Sequence, residues 1–498
     1  MIGNADMTME ARANRSTIFS QRRPALHRYF AIDGGYGAHL LAALGGYSPY
    51  LQAVASPRHA NLLIIVAPIT QKLVPAIVEI AEALPHPAHV LLLSEPSGEH
   101  AGFAGMDIAD VETLFQGVRK LTTTSPADVL HALTDTAPWA ELALNHVNVP
   151  EAETIQLPSR HEQELATELI VLSLGPVQPF TAGPLRLFLI CDGEQVLSVQ
   201  VNSGYAHRGI ARAMQQAEWQ DALPLARSLD PLAPLAGQLA YVQVIEQMQG
   251  WQPSPPIVSL REAALALERV HNHLWWLVNF MRLLADAQLS DRAYQLASSF
   301  ETTMTQLWQQ DPSTWILPQW QGKVEYDETA MRQLHQLTDA LETFTAALAR
   351  NRWLMLRTRG IGVFPPAAIN ESDAPASIPV SNEPGKNDVQ GRLLNRLQCA
   401  VTDVRNAMTI VSKNEFPPAH AEQWLPPVGE AQVTVEGPRG QLGLHVNSDG
   451  SEKPIHVAWQ GPSAAWLPLL PQILTDQKLA DAEIIIASLN LAIAEADA

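Results

Sequence analysis

Apolar residues change their spacing along the chain, and the change divides it. Leu62 to Val66 and Val90 to Leu93 are continuous apolar runs, with apolar positions at helical spacing over 72–84 between them. Unbroken apolar strands flanking a helix predict a βαβ unit in a parallel sheet covered on both faces. The pattern then predicts a helix over 110–120 and a short strand at 121–123. Ser125 and Pro126 follow as cap and first residue of a helix over 127–133. Residues 25–137 thus read as an α/β doubly wound, flavodoxin-like domain, after a polar leader at 1–24 and before a proline-spotted linker at 138–163.

Beyond the linker, 185–190 and 196–201 alternate as strands, and Asp192-Gly193 joins them as a hairpin. Helical spacing then takes over at 210–220, 231–249, 259–288, 292–310 and 326–356. Residues 370–388 are rich in Pro, Ser, Asn and acidic side chains, which predicts a flexible loop. A helix over 389–413, strands at 431–435, 442–446 and 455–459, and a helical end at 482–494 complete a mainly α large domain, 164–498, with small β elements.

Composition narrows the chemistry. A chain of 498 residues exceeds one ordinary core, and its formal charge of −19 repels nucleic acid and acidic lipid surfaces. Cys191 and Cys399 are the only cysteines, which excludes a disulfide framework and an all-cysteine metal or cluster site within one chain. The first residues hold no long apolar run, so no cleaved export signal is expected; after Arg22-Arg23, His27, Arg28 and Asp33 interrupt what a twin-arginine signal would need. The most apolar helix candidate, 270–284, carries His271, Asn272, His273 and Arg282, so it reads as buried between helices rather than as a membrane span. A soluble chain, reaching a membrane only through partners, is the expectation.

Few motifs carry chemistry on their own. No HExxH, CxxC, GxSxG or Walker loop occurs. Gly34-Gly35-Tyr36-Gly37 is glycine-rich but reads as lacking the preceding strand and downstream acid of a dinucleotide site. His271 and His273 lie two apart on a helix and diverge, so packing or capping is favoured over joint ligation. Tyr205, His207 and Arg208, in the glycine-bounded turn GYAHRG at 204–209, form the one compact polar candidate. An imidazole beside a fixed cation there suits either proton handling or a structural ion pair.

Ordered motifs add a resemblance. GPxxPxxxGxLRL at 175–187, DGE at 192–194, GYxHRG at 204–209, LAY at 239–241, ERxxxHL at 268–274, RGIGVFPP at 359–366 and VEGPRGQLGLHVNSDGSEKP at 435–454 together resemble the large subunit shared by respiratory complex I (its 49 kDa subunit, in NADH-quinone oxidoreductase) and the membrane-bound [NiFe] hydrogenases. SPRHANLLIIVAPITQKLVPAI at 56–77 resembles the partner small (20 kDa) subunit of the same complexes, which implies a fusion of the two. The resemblance implies a [4Fe–4S] cluster, a quinone or a nickel–iron centre. This sequence departs from each ligand set: the cluster-cysteine positions fall at 35–38, 94–97 and 125–126, and the quinone-binding positions at Gln178, Ala182 and Pro231. The end reads SLNLAIAEAD where hydrogenases place a cysteine pair. His207 alone remains, at a position that in the family lies near the terminal cluster.

The expectation is a redox-silent scaffold or coupling subunit without a cofactor of its own. It would sit on the cytoplasmic face of the inner membrane, with complex I-like peripheral subunits and antiporter-like membrane subunits as partners in proton- or ion-linked transport. The alternatives are a true NADH- or ferredoxin-linked quinone oxidoreductase subunit whose cluster another chain supplies, and a free-standing ligand-binding protein.

Overall fold

The computed structural model describes residues 26–35, 37–47, 51–94, 108–123, 125–134, 139–145, 169–307, 326–363, 388–412 and 424–498. The leader at 1–24 and nearly all of the 370–388 loop lie outside the described residues, as does 146–163 of the linker.

The first layer contains β1 (His27–Asp33), α1 (Ala38–Tyr47), β2 (Leu51–Ala53), β3 (Leu62–Val66), α2 (Val74–Glu82) and β4 (His89–Ser94). It continues through α3 (Val111–Leu114), β5 (Phe115–Gln116), β6 (Arg119–Thr122), α4 (Pro126–Thr134) and β7 (Ala143–Leu144). One sheet has the order β2-β1-β3-β4-β6, every pair parallel. All of β3 is buried, as an unbroken apolar strand requires. Leu63 and Ile65 face Val74 and Ile77 of α2, while Leu62 and Ile64 face Leu40 and Leu44 of α1 and Val129 of α4.

Three sequence expectations change here. The helix expected over 110–120 stops at Leu114, because Phe115 enters a small antiparallel pairing with Leu144. The first part of the expected linker is therefore structured. A strand, β1, does precede the glycine-rich loop; His27 and Arg28 at its start and Asp33 at its end broke the apolar pattern that would have revealed it.

The large domain begins with β8 (Leu169–Leu174), β9 (Arg186–Asp192) and β10 (Gln195–Asn202), an antiparallel sheet with β9 in the middle. Helices follow: α5 (Ile210–Gln216), α6 (Ala222–Arg227), α7 (Pro234–Gln249), α8 (Pro255–Leu283), α9 (Ala287–Leu307), α10 (Glu328–Arg350), α11 (Arg352–Thr358) and α12 (Val389–Val411). Then come β11 (Gly429–Gly437), β12 (Gly440–Ser448) and β13 (His456–Gln460), again antiparallel. Short helices close the chain: α13 (Pro462–Trp466), α14 (Leu470–Leu474), α15 (Leu479–Ser488) and α16 (Ile493–Ala496).

Helix α8 is the axis of the domain and buries residues on every side, including Trp275, Trp276 and Phe280. The helix expected over 259–288 ends early, where Ala285 takes a left-handed φ of 58°. The one expected over 326–356 breaks at Asn351, whose side chain accepts from the Leu354 N–H at 3.0 Å and restarts the chain as α11. The one expected over 231–249 starts three residues late, at Pro234. The expected 482–494 helix is two, α15 and α16, separated by Asn490 at φ 57°. Among the described residues no helix is long and apolar enough to cross a membrane.

Candidate functional site

The GYAHRG turn lies where the parallel-sheet domain, the large domain and the chain end meet. Its backbone is held from the tail. The Asp497 carboxylate accepts from the Gly204 N–H at 2.9 Å and the Ala206 N–H at 3.0 Å. His207 Nδ1 donates to the Asp497 carbonyl at 2.6 Å, while the rest of its ring is exposed. The buried Arg208 donates through Nη2 to the Ala494 carbonyl at 2.9 Å. From the other side, Thr70 Oγ1 donates to the Tyr205 carbonyl at 2.5 Å, and Lys72 Nζ donates to the Ser203 carbonyl at 2.7 Å while lying 4.5 Å from the Tyr205 ring centre. Tyr205, His207 and Arg208 are thus brought together, and their polar contacts tie backbone segments to one another.

The glycine loop after β1 is closed in the same way. Asp33 Oδ1 accepts from the N–H groups of Gly35 at 2.8 Å and Gly37 at 2.7 Å, so amides that would face an anion already hold a carboxylate of this chain. Burial pushes the Asp33 carboxyl up, against these hydrogen bonds. Gly35 has φ +112°, and a Cβ there would stand 2.8 Å from the Ala494 Cβ. No side chain fits at this position, within the stretch where the resemblance implies a cluster cysteine, without moving the tail. At the other such positions, the Ser94 and Thr122 hydroxyls are 3.3 Å apart, and the Ser125 N–H donates to Thr123 Oγ1 at 2.9 Å as α4 begins. Residues 95–97 lie outside the described residues.

At the three positions that the resemblance associates with a quinone, the structure likewise places local contacts. Gln178 Nε2 donates to the Leu185 carbonyl at 2.7 Å and stiffens the loop before β9. Ala182 exchanges backbone bonds with the tail, its N–H donating to the Leu491 carbonyl at 3.1 Å and its carbonyl accepting from the Ile493 N–H at 2.8 Å. Pro231 follows Asp230, a buried carboxylate gripped by Arg439 at the β11–β12 turn. Arg439 Nε also donates to Glu495 Oε2 at 2.7 Å, and Ser463 Oγ donates to the same oxygen at 2.7 Å. Burial pushes Glu495 up, opposed first by the Arg439 charge. Burial pulls Arg208 down to about 9, opposed by Asp230 and Asp497. Arg439 between Asp230 and Glu495, the Arg208 guanidinium on the Ala494 carbonyl and the Asp497 carboxylate on backbone amides therefore lock the tail from inside the protein.

What remains between these walls is a crevice of ≈ 40 Å³, edged by His39, Phe180, Ala182, Leu232, Trp276 and Leu491. Its polar groups satisfy each other: Asn490 Nδ2 donates to Asn272 Oδ1 at 3.1 Å, Asn272 Nδ2 to the Leu232 carbonyl at 3.3 Å, and Trp276 Nε1 to the Ala487 carbonyl at 2.7 Å. His39 is held well below the usual imidazole range, first by burial and then by His271 and Arg439. The cysteines stand elsewhere, Cys191 inside β9 and Cys399 on α12. Among the described residues no three His, Cys, Asp or Glu side chains converge as metal ligands do.

Sequence reasoning missed several residues that shape this region. Glu268 caps α7, accepting from the Leu235 and Ala236 N–H groups at 2.8 and 3.1 Å, and burial pushes its carboxyl up to about 8. The ERxxxHL spacing marked the residue without marking its role. Arg392 and Arg396 of α12 grip the end of α15: Arg396 donates to the Ser488 and Leu489 carbonyls at 2.5 and 3.0 Å, supplying partners to orphan helix-end groups. Of the two helix histidines, His271 accepts from Trp275 Nε1 at 3.1 Å and His273 is buried, so they do not converge.

The large domain thus joins an antiparallel three-stranded sheet, a helical core around one long helix and a tail threaded back against the GYAHRG turn. Residues 390–498 match the profile of the respiratory-chain NADH dehydrogenase 49 Kd subunit. The chain is 27% identical over 428 residues to the D 1 subunit of NADH-quinone oxidoreductase from Roseiflexus castenholzii, a match that covers 72% of this chain and 99% of the relative. It is 27% identical over 403 residues to the D 1 subunit of the same enzyme from Herpetosiphon aurantiacus, covering 67% of this chain and 93% of the relative. A solved chain from the membrane-bound sulfane sulfur reductase, an archaeal respiratory membrane complex, superposes with a TM-score of 0.59 at 23% identity, covering 67% of this chain and 100% of that one. The last is a likeness of fold. Over 67–72% of its length the chain is thus similar to D subunits of NADH-quinone oxidoreductase, and in fold to a chain of an archaeal respiratory membrane complex.

Proposed function

We propose that this chain is a peripheral subunit of a complex I-like membrane assembly and that it acts as a redox-silent scaffold or coupling module. Its flavodoxin-like amino-terminal domain, in this reading, descends from the small subunit of such an assembly, fused before the 49 kDa-like domain. It carries no iron–sulfur cluster, quinone or nickel–iron centre of its own. The observation that carries the reading is the closed junction. A site for a molecule of quinone size occupies about 300 Å³ or more, whereas the crevice measures ≈ 40 Å³ and its walls are joined by backbone hydrogen bonds from Ala182 to the tail. The amides of the Gly35–Gly37 loop are filled by Asp33, and a cysteine side chain at 35 would collide with Ala494.

The partners are then other peripheral subunits and antiporter-like membrane subunits, at the cytoplasmic face, in proton- or ion-linked transport. The names of the relatives favour a second reading, a working quinone oxidoreductase subunit whose cluster comes from another chain. Affinity purification of the tagged chain from detergent-solubilised membranes tests membership: integral membrane subunits are expected in fixed ratio. A free monomer in the extract would contradict it. Quinone-reductase turnover by the purified assembly, abolished by substitutions lining the junction, would favour the second reading.

A further inference from the structure

The surface opposite in character to the rest of this acidic chain lies at α11. Arg350, Arg352, Arg357 and Arg359 fall within ten residues, all exposed, and no acidic residue occurs between Glu342 and Glu371. Among the described residues, none of the four guanidinium groups has an ion-pair partner. Helix α11 is amphipathic in an unusual sense. Leu354 and Thr358 face inward, while Trp353 is 42% exposed and Leu356 85% exposed. Val363, just beyond, is 51% exposed. Positions 352, 353, 356 and 357 share one helical face, so a tryptophan and a leucine stand side by side with an arginine at each flank.

We infer that this face docks directly on an anionic lipid surface. Tryptophan prefers the membrane–water interface, leucine gains by entering it, and arginine reaches anionic headgroups while its stem stays in the apolar layer. Two apolar side chains are too few for the core of a stable protein interface, which needs roughly 20 residues a side. They suit shallow adsorption assisted by charge. The formal charge of −19 repels such a surface, but salt screens that repulsion beyond about 8–10 Å, whereas the arginines act at contact. The sequence expectation that membrane association comes only through partners rested on the absence of a spanning segment, and adsorption of this face adds a direct contact to it. This inference does not depend on the redox reading of the junction.

Flotation of the full chain with vesicles tests it. Binding is expected to mixed phosphatidylcholine–phosphatidylglycerol vesicles, weakening as salt rises, and not to pure phosphatidylcholine. Each arginine near such a surface is worth about five-fold in affinity, so R352E/R357E should lose at least about 25-fold by that rule, with its circular dichroism unchanged. W353A/L356A should weaken binding at every salt concentration. R352K/R357K should keep binding, because a lipid surface reads charge rather than a bidentate fork. Equal binding to both vesicle types, binding to neither, or indifference to the charge reversal would overturn the proposal. So would a Lys pair that keeps lipid binding no better than the Glu pair while both lose a subunit from the assembly, the outcome expected of a protein-docking face.

Discussion

Two interiors of this molecule hold arginine–carboxylate pairs and differ in the space left around them. At the junction, Arg439 sits between Asp230 and Glu495 with all three side chains at most 2% exposed, and the adjoining crevice is ≈ 40 Å³. Across the helical face, between α7, α8, α12 and β11, a cleft of ≈ 850 Å³ opens over the Arg261–Glu246 and Arg269–Asp403 pairs. Charge at the junction serves to hold the tail, and the adjoining crevice is left with only ≈ 40 Å³. In the cleft there is volume, but its guanidiniums are already paired with carboxylates. The junction, where the resemblance implies chemistry, is thus the tighter of these two interiors, and the roomier cleft lies away from it.

The comparison breaks if the junction ions are dispensable. Arg439→Met leaves two buried carboxylates without their cation, and urea unfolding should show a loss of about 3–5 kcal/mol. Arg269→Met, in the partly open cleft, should cost about 1 kcal/mol or less, because water screens the remaining Asp403. Equal losses would mean that the two interiors are not different in kind.

Glu268 gives the comparison a pH axis. Its folded carboxyl is pushed up to about 8 from an ordinary value of 4.5, mainly by burial. Between pH 4.5 and about 8 the folded state therefore holds a proton that the unfolded chain has already released. Stability from this group is present below the unfolded value and declines as pH rises through that window. Glu268→Gln should flatten the decline, with a gain of a few kcal/mol near its upper end by the usual conversion. Thermal unfolding midpoints across the window check this; an unchanged slope would remove Glu268 as its source.

Smaller effects sharpen the account at the loop and turn. Gly35→Ala should cost roughly 1–3 kcal/mol, since the backbone at φ +112° disfavours a side chain and Ala494 occupies its space. His207→Ala removes one hydrogen bond from an exposed ring, and about 1 kcal/mol is expected. If its loss instead abolishes transport by an assembly that still forms, His207 moves protons rather than holding the tail.

The strands of the parallel sheet were legible where they ran unbroken, as in β3 and β4, because burial on both faces leaves no polar position. β1 was not, because its ends carry His27, Arg28 and Asp33, and Asp33 works on the loop's amides rather than on solvent. Helix ends were blurred for a related reason: Asn351 and Ala285 interrupt helices by local geometry without interrupting the apolar spacing. At the site, the GYAHRG turn announced itself through its glycines and its adjacent His and Arg. Its partners could not be read, since Asp497, Ala494 and Thr70 reach it across 291, 286 and 135 positions of sequence. The Asp230–Arg439–Glu495 lock is likewise a product of the fold, assembled from a helix-entry loop, a β-turn and the tail.

Low-temperature EPR with iron and acid-labile sulfide analysis on the purified assembly tests the central claim most directly. The account predicts no stoichiometric cluster assignable to this chain, and no change in any assembly signal when the chain is loaded at varied ratio. A [4Fe–4S] signal that rises in proportion to this chain, is reduced by the assembly's donor and is reoxidised by quinone would contradict it.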